Sequence, residues 1–203
     1  ILATDINQPM LDRAMARQAN DARITFAQAD AAVLSSADAA YDVVACQFGV
    51  MFFPDKVRAY REGRRVLRAG GHYSFNVWDK LAFNDFAATV TEAMTSLFQE
   101  DPPLFMARIP HGYNDTARIR TELAEAGFAT VATETISRRS HGRSAREVAL
   151  TYCQGTPLRA EIEARRPGGL EEATEHAAMA LERRFGSGPI EGAIQAIAID
   201  ASA

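Results

Sequence analysis

Two acidic residues stand just past short apolar runs. Asp5 follows Ile1-Leu2-Ala3, and Asp30 follows Ile24-Thr25-Phe26-Ala27-Gln28. A carboxylate at a strand tip accepts both hydroxyls of a ribose, and a second beside a purine accepts its exocyclic amine. Each residue also has a plainer reading: Asp5 caps a following helix, and Asp30 opens the Ala31-Ala32 turn. Taken together, two acids at the tips of successive strands favour an adenosine-sized site over two unrelated caps. Open α/β sheets bind ligands outside the carboxyl ends of their strands. The residues after the next two apolar runs, Cys46-Gln47-Phe48 and Trp78, therefore belong to the same search.

Met51-Phe52-Phe53 follows directly and reads as the lining of an apolar cavity, although such a group also suits a core. His111 and Tyr113, in a loop flanked by Pro110 and Asn114, are candidate catalytic groups that accept a proton or orient a substrate. Trp78 and Tyr113 join Gln47, Phe48 and the Met51–Phe53 group as candidate substrate contacts. Cys46 reads as a packing residue of a buried strand and not as a nucleophile. His72, His141 and His176 read as structural or exposed. Arginines cluster at Arg64, Arg65 and Arg68 and at Arg138, Arg139 and Arg143. Solvated helix and loop faces explain them, with a local site for an acidic substrate group as the alternative.

These residues need a frame that brings strand tips together, and the pattern of the chain supplies one. Short apolar runs alternate with helical periods. A helix starts at Asn7-Gln8-Pro9, with Met10, Leu11, Ala14, Met15 and Ala19 on helical spacing. Asp42–Phe48 reads as a strand buried on both faces. A helix spans about Lys56 to Leu67 and ends at Gly70-Gly71, and His72–Trp78 is the next strand. Strand–helix alternation predicts a parallel sheet with helices on both faces. Beyond Trp78 the pattern predicts helices over 83–98, 116–126, 144–153, 157–166 and 170–185, and strands over 128–136 and 190–199. The fold class is therefore α/β: doubly wound, mostly parallel, with an antiparallel C-terminal strand and helical insertions.

Composition narrows the field. The 203 residues suit one domain, with 47% hydrophobic and 24% charged residues and a net charge of −4. That balance excludes a strongly basic nucleic-acid or membrane surface. Two cysteines give neither a disulfide framework nor paired zinc spacing, so no metal is expected. No stretch reads as a transmembrane helix or a signal peptide, and a cytoplasmic location is the expectation.

The ordered set of motifs resembles class I S-adenosylmethionine-dependent methyltransferases, specifically the type 11 group. Ala3-Thr4-Asp5-Ile6-Asn7-Gln8-Pro9-Met10-Leu11 resembles the segment after that family's second strand. Gln28-Ala29-Asp30-Ala31 resembles the segment after its third, and Tyr41–Gly49 its fourth strand. Arg65-Val66-Leu67-Arg68-Ala69-Gly70-Gly71 is similar to the turn into its fifth. The resemblance covers roughly the first 80 residues. It implies S-adenosyl-L-methionine as cofactor, with Asp5, Ile6, Met10, Ala29, Asp30, Ala31, Cys46, Gln47 and Phe48 around it. It implies methyl transfer to a small, partly hydrophobic acceptor, with a Rossmann-like single domain over 1–203 and segments 80–114 and 141–186 as a helical cover. The family's first strand and glycine-rich loop have no counterpart in the sequence, so the fold is expected to be N-terminally truncated. A small-molecule partner is expected and nucleic acid is not, with a homodimer left open. Two other readings compete: a nicotinamide-cofactor oxidoreductase, and a catalytically inactive methyltransferase-fold binding module.

Overall fold

The computed structural model describes residues 1–18 and 21–203. The chain runs β1 (Leu2–Asp5), α1 (Gln8–Gln18), β2 (Thr25–Gln28), β3 (Tyr41–Gln47), α2 (Lys56–Val66), β4 (Leu67–Trp78), α3 (Asp85–Leu97) and α4 (Phe105–Arg108). It continues with α5 (Thr116–Glu125), β5 (Thr130–Gly142), α6 (Ala145–Gly155), α7 (Leu158–Arg165), α8 (Leu170–Phe185) and β6 (Ile190–Ser202). Short 3-10 turns occupy Val50–Phe52 and Leu81–Phe83.

Local chemistry fixes the helix starts. The Asp55 carboxylate accepts the Arg58 amide at 2.9 Å. Asp115 accepts the amides of Ala117 and Arg118. Ser144 accepts the Glu147 amide, and Glu147 reaches back to the Arg143 amide. Each satisfies donors that a helix N-terminus leaves unpaired.

β1 and β2 pair in parallel, with Asp5 opposite Gln28. A second sheet has the order β3-β4-β6-β5, in which β3 and β4 are parallel and β6 is antiparallel to both neighbours. The C-terminal strand thus inserts beside β5, as the resemblance implies.

Three expectations change. The strands form two sheets where one was expected, because among the described residues no strand joins β1 to β3. β3 is consequently an edge strand and not buried on both faces: Val43 is 57% exposed. The open face beside it, carrying Ala45, Gln47, Ser74, Asn76, Ala198 and Asp200, forms a shallow hollow of about 670 Å³. Finally, α2 does not reach Gly70-Gly71. The chain turns extended at Leu67, and β4 starts there. Pairing jumps from Tyr41–Leu67 to Val43–His72, a bulge that contains Gly70 at φ 76°. The Ala19 position of the first helical pattern lies outside the described residues.

Apolar residues sort into two cores. One joins α2, α5 and the inner face of β4 and β6 through Tyr60, Phe75, Val77, Ile119, Leu123, Ile197 and their neighbours. The other is helical and draws on α3, α4, α6, α7 and α8, with Val90, Met94, Ile162 and Leu181 fully buried. Segments 80–114 and 141–186 thus pack into one body. Among the described residues no helix is long and apolar enough to cross a membrane. Leu123→Ala and Leu181→Ala are each expected to lower stability by about 2–5 kcal/mol, read as a reduced urea midpoint with the slope unchanged.

Candidate functional site

β1 and β2 are parallel neighbours, so their carboxyl ends lie at one rim. Asp5 ends β1, and Asp30 stands two residues past β2. Both plain readings hold: Asp5 Oδ1 accepts the Asn7 amide at 2.8 Å and Asp30 Oδ1 accepts the Ala32 amide at 2.8 Å. Each carboxylate spends one oxygen on its own turn. Among the described residues the second oxygen of each has no protein partner. Ile6, next to Asp5, is 66% exposed, and Met10 is exposed as well. Ala29 and Ala31 are partly buried beside Asp30, and the Ala29 amide donates to the Asp5 carbonyl at 3.1 Å. The β1 tip thus presents unpaired acceptors beside uncovered apolar side chains.

The β3 and β4 ends meet in a tight corner. Phe48 has a left-handed backbone, φ 49°, which is rare for an aromatic residue. Its amide donates to Asn76 Oδ1 at 2.8 Å, and its ring stacks on Trp78 at 3.8 Å between centroids. Gly49 follows because a Cβ there would sit 2.7 Å from Cys46 Sγ. Cys46 packs against the sheet core, and burial pushes its thiol above the ordinary range. The Asp5 carboxylate adds to that rise. A protonated, half-buried thiol is no nucleophile. Gln47 points into the open-face hollow.

His111 sits beside this corner, 6.2 Å from Trp78 between ring centroids and only 6% exposed. Its Nδ1 lies 2.8 Å from the Asp79 main-chain carbonyl, which accepts only a protonated nitrogen. Burial pushes the imidazole below its ordinary value of about 6.5. His111 is therefore a neutral ring with Nδ1 protonated.

Tyr113 differs from the expectation. It is buried among α2 and α5, its hydroxyl donates to Glu122 Oε2 at 2.5 Å, and it lies 3.0 Å from the Tyr60 hydroxyl. Burial raises its phenol far above the ordinary value, so it is neither a proton acceptor nor a substrate contact. Met51 also departs from its reading as pocket lining: it is 4% exposed, within the sheet core. Phe53 packs against the same core. Phe52 alone of the three presents a surface, 51% exposed and 6.4 Å from Phe105 between ring centroids. The arginine clusters are bound to the chain's own groups. Arg65 pairs with Glu62 and Asp38, Arg68 with Asp42, Arg139 with Glu191 and Arg143 with Glu147, while Arg64 and Arg138 donate to main-chain carbonyls. They form no acidic-substrate site. His72, His141 and His176 lie away from the corner, against Asp200, Glu191 and Ser96.

Asn76 and Asp79 escaped the sequence reading. Asn76 carried a signal, as a polar side chain alternating with Phe75 and Val77 in a strand tip. Asp79 acts through its carbonyl, which no side-chain pattern reveals.

Comparison with known proteins bears on the fold. The chain has the fold of a putative methyltransferase from Bacillus halodurans, with a TM-score of 0.57 at 16% identity, covering 99% of this chain and 81% of that one. Haemonchus contortus phosphoethanolamine N-methyltransferase 2, in complex with S-adenosylhomocysteine, shares the fold with a TM-score of 0.56 at 14% identity over 99% of this chain and 43% of its own. The fold is thus the Rossmann-like methyltransferase fold. Residues 1–75 match the methyltransferase domain family model. Ubiquinone/menaquinone biosynthesis C-methyltransferase UbiE of Acidiphilium cryptum is 42% identical over 76 residues, 36% of this chain and 30% of that protein. The chain spans about a third of the length of the curated relatives it matches.

Two outcomes check the electrostatics. Unfolded His111 takes up a proton as pH falls through about 6.5, and the folded ring does so only at lower pH. The unfolded state binds more protons in that window, so the stability tied to neutral His111 is complete above about pH 6.5 and lost as pH falls below it. His111→Gln is expected to flatten that acid-side slope by up to about 1.4 kcal/mol per pH unit, measured by urea denaturation at pH 7.5 and 5.5. Tyr113→Phe removes the partner of the Tyr60 hydroxyl and of Glu122 Oε2, whose other oxygen stays on Arg118, and is expected to cost about 1–3 kcal/mol, with S-adenosylhomocysteine affinity unchanged in calorimetry.

Proposed function

We propose that the complete protein transfers a methyl group from S-adenosylmethionine to a small, partly hydrophobic acceptor. The observation that carries this reading is the pair Asp5 and Asp30 at one sheet rim. Among the described residues each has an unpaired carboxylate oxygen, and exposed Ile6 and Met10 flank Asp5. That donor set fits a nucleoside. Asp5 Oδ2 accepts ribose hydroxyls, Ile6 and Met10 cover a purine face, and Asp30 with Ala29 and Ala31 meets the purine edge. The main chain of Cys46, Gln47 and Phe48 lies toward the methionine end.

The bound sulfonium supplies an already activated methyl group. The chain's remaining work is orientation and exclusion of water. The Phe48–Trp78 stack offers a flat apolar wall, and exposed Phe52 and Phe83 extend apolar surface toward the helical body. That body, formed by α3, α4, α6, α7 and α8, covers the acceptor side and selects by shape.

Calorimetry on the protein expressed from its complete gene tests the reading. S-adenosylmethionine is expected to bind, and Asp5→Asn, which keeps the cap on Asn7 but removes the charge, to weaken binding about tenfold or more. Absence of binding by the folded wild type, or equal affinity in the variant, overturns it.

A further inference from the structure

Two grooves follow α3 on the surface of the helical body. α8 lies against α3 and runs the opposite way. Arg184, late in α8, reaches Asp85 and Thr89 at the start of α3, and His176, early in α8, meets Ser96 near its end at 2.8 Å. Between the two helices lies a groove of about 320 Å³, with Glu92 and Ser96 on one side and Ala180 and Arg183 on the other. A second groove, of about 560 Å³, follows the other flank of α3 past Leu81, Ala88 and Thr95. Glu92 and Ser96 line both, so an exposed ridge of α3 stands between the grooves. Its side chains are short, and its hydroxyls are spent on carbonyls of α3 itself: Thr91 on Ala87, Thr95 on Thr91, Ser96 on Ala93. Met179, beside Ala180 on α8, is an apolar side chain left 49% exposed. The charges of the α3–α8 groove are unmatched within one copy. Glu92 and Arg183 line it from opposite sides, yet among the described residues neither has an ion-pair or hydrogen-bond partner. Arg184 differs, since Asp85 holds it at 2.9 Å.

We propose that this face joins two copies of the chain across a two-fold axis running along the α3–α8 groove. Such an axis exchanges the two sides of the groove. α3 of one copy then lies over α8 of the other in antiparallel fashion, and four helices pack as a bundle. Glu92 of one copy meets Arg183 of the partner subunit, and symmetry makes that contact twice. The short side chains of the α3 ridge let the backbones approach closely, and Met179 leaves water at the same time. A second copy fits better than a different protein because the face is its own complement. One acidic and one basic side chain face each other across a single groove, with no excess of either sign to select a charged partner. The proposal is independent of the methyl-transfer reading and survives its failure.

Sedimentation velocity on the complete protein over a concentration series tests this. The wild type is expected to form a dimer that weakens as salt rises. Glu92→Arg and Arg183→Glu each set like charges against each other twice per dimer and are expected to weaken association about tenfold or more. Both substitutions in one chain restore the opposite-charge pairs, and so does mixing the two single variants; the dimer is expected to return in each case. Both positions are exposed, so circular dichroism of the variants is expected to match the wild type. Hydrogen exchange on the wild type needs no variant and stands if one fails to fold: amides over 88–96 should gain protection as concentration rises. A wild type that stays monomeric, with or without a different protein bound to it, overturns the proposal. So does a dimer indifferent to either reversal, a dimer that forms without protecting 88–96, or folded single variants that neither the double substitution nor mixing restores.

Discussion

The site depends on the left-handed backbone of Phe48. A non-glycine residue held there costs on the order of 1–3 kcal/mol and persists only where its surroundings over-determine it. Here three contacts do so. Asn76 takes the Phe48 amide, Trp78 takes the ring, and Gly49 leaves space that Cys46 Sγ fills. The corner locks the end of β3 to the end of β4. It turns the chain so that the following 3-10 turn drives Val50 and Met51 into the sheet core and leaves Phe52 outside. Without it, neither the flat aromatic wall nor its distance from His111 is defined.

The two apolar cores divide the labour. The sheet core carries the buried Tyr60–Tyr113–Glu122 chain, whose hydroxyls partner one another and a carboxylate. Such a network is stabilising only when fully satisfied, and its residues are committed to packing α5 on α2. The helical core has no strand of the parallel pairs in it and touches the sheet through β6 and the loops at the β4 end. His111 sits at that junction, bonded to Asp79 on one side and to Met106 on the other.

Much of this was legible in the sequence. Asp5 and Asp30 follow apolar runs with turn residues, and both stand at strand tips. The three helices after Gly142 were marked by Ser144, Pro157 and Gly186. Legibility failed where a residue's fate depends on partners distant in sequence. Tyr113 and His111 share a loop and a similar local pattern, yet one hydroxyl is spent on Glu122 and Tyr60 while one ring nitrogen stays open. Met51 and Phe52 are adjacent and apolar, and only the turn's phase assigns one to the core. Val43 reads as fully buried because strand composition says nothing of which edge has a neighbour. The end of α2 was misplaced because Gly70-Gly71 resembles a cap but serves a bulge.

The most direct measurement is a crystal structure of the complete protein with S-adenosylhomocysteine. The account predicts ribose hydroxyls on the free oxygen of Asp5, the purine against Ile6 with its amine toward Asp30, and the sulfur facing the Phe48–Trp78 corner. A ligand bound elsewhere, with the Asp5 and Asp30 oxygens both turned away from it, would contradict the account.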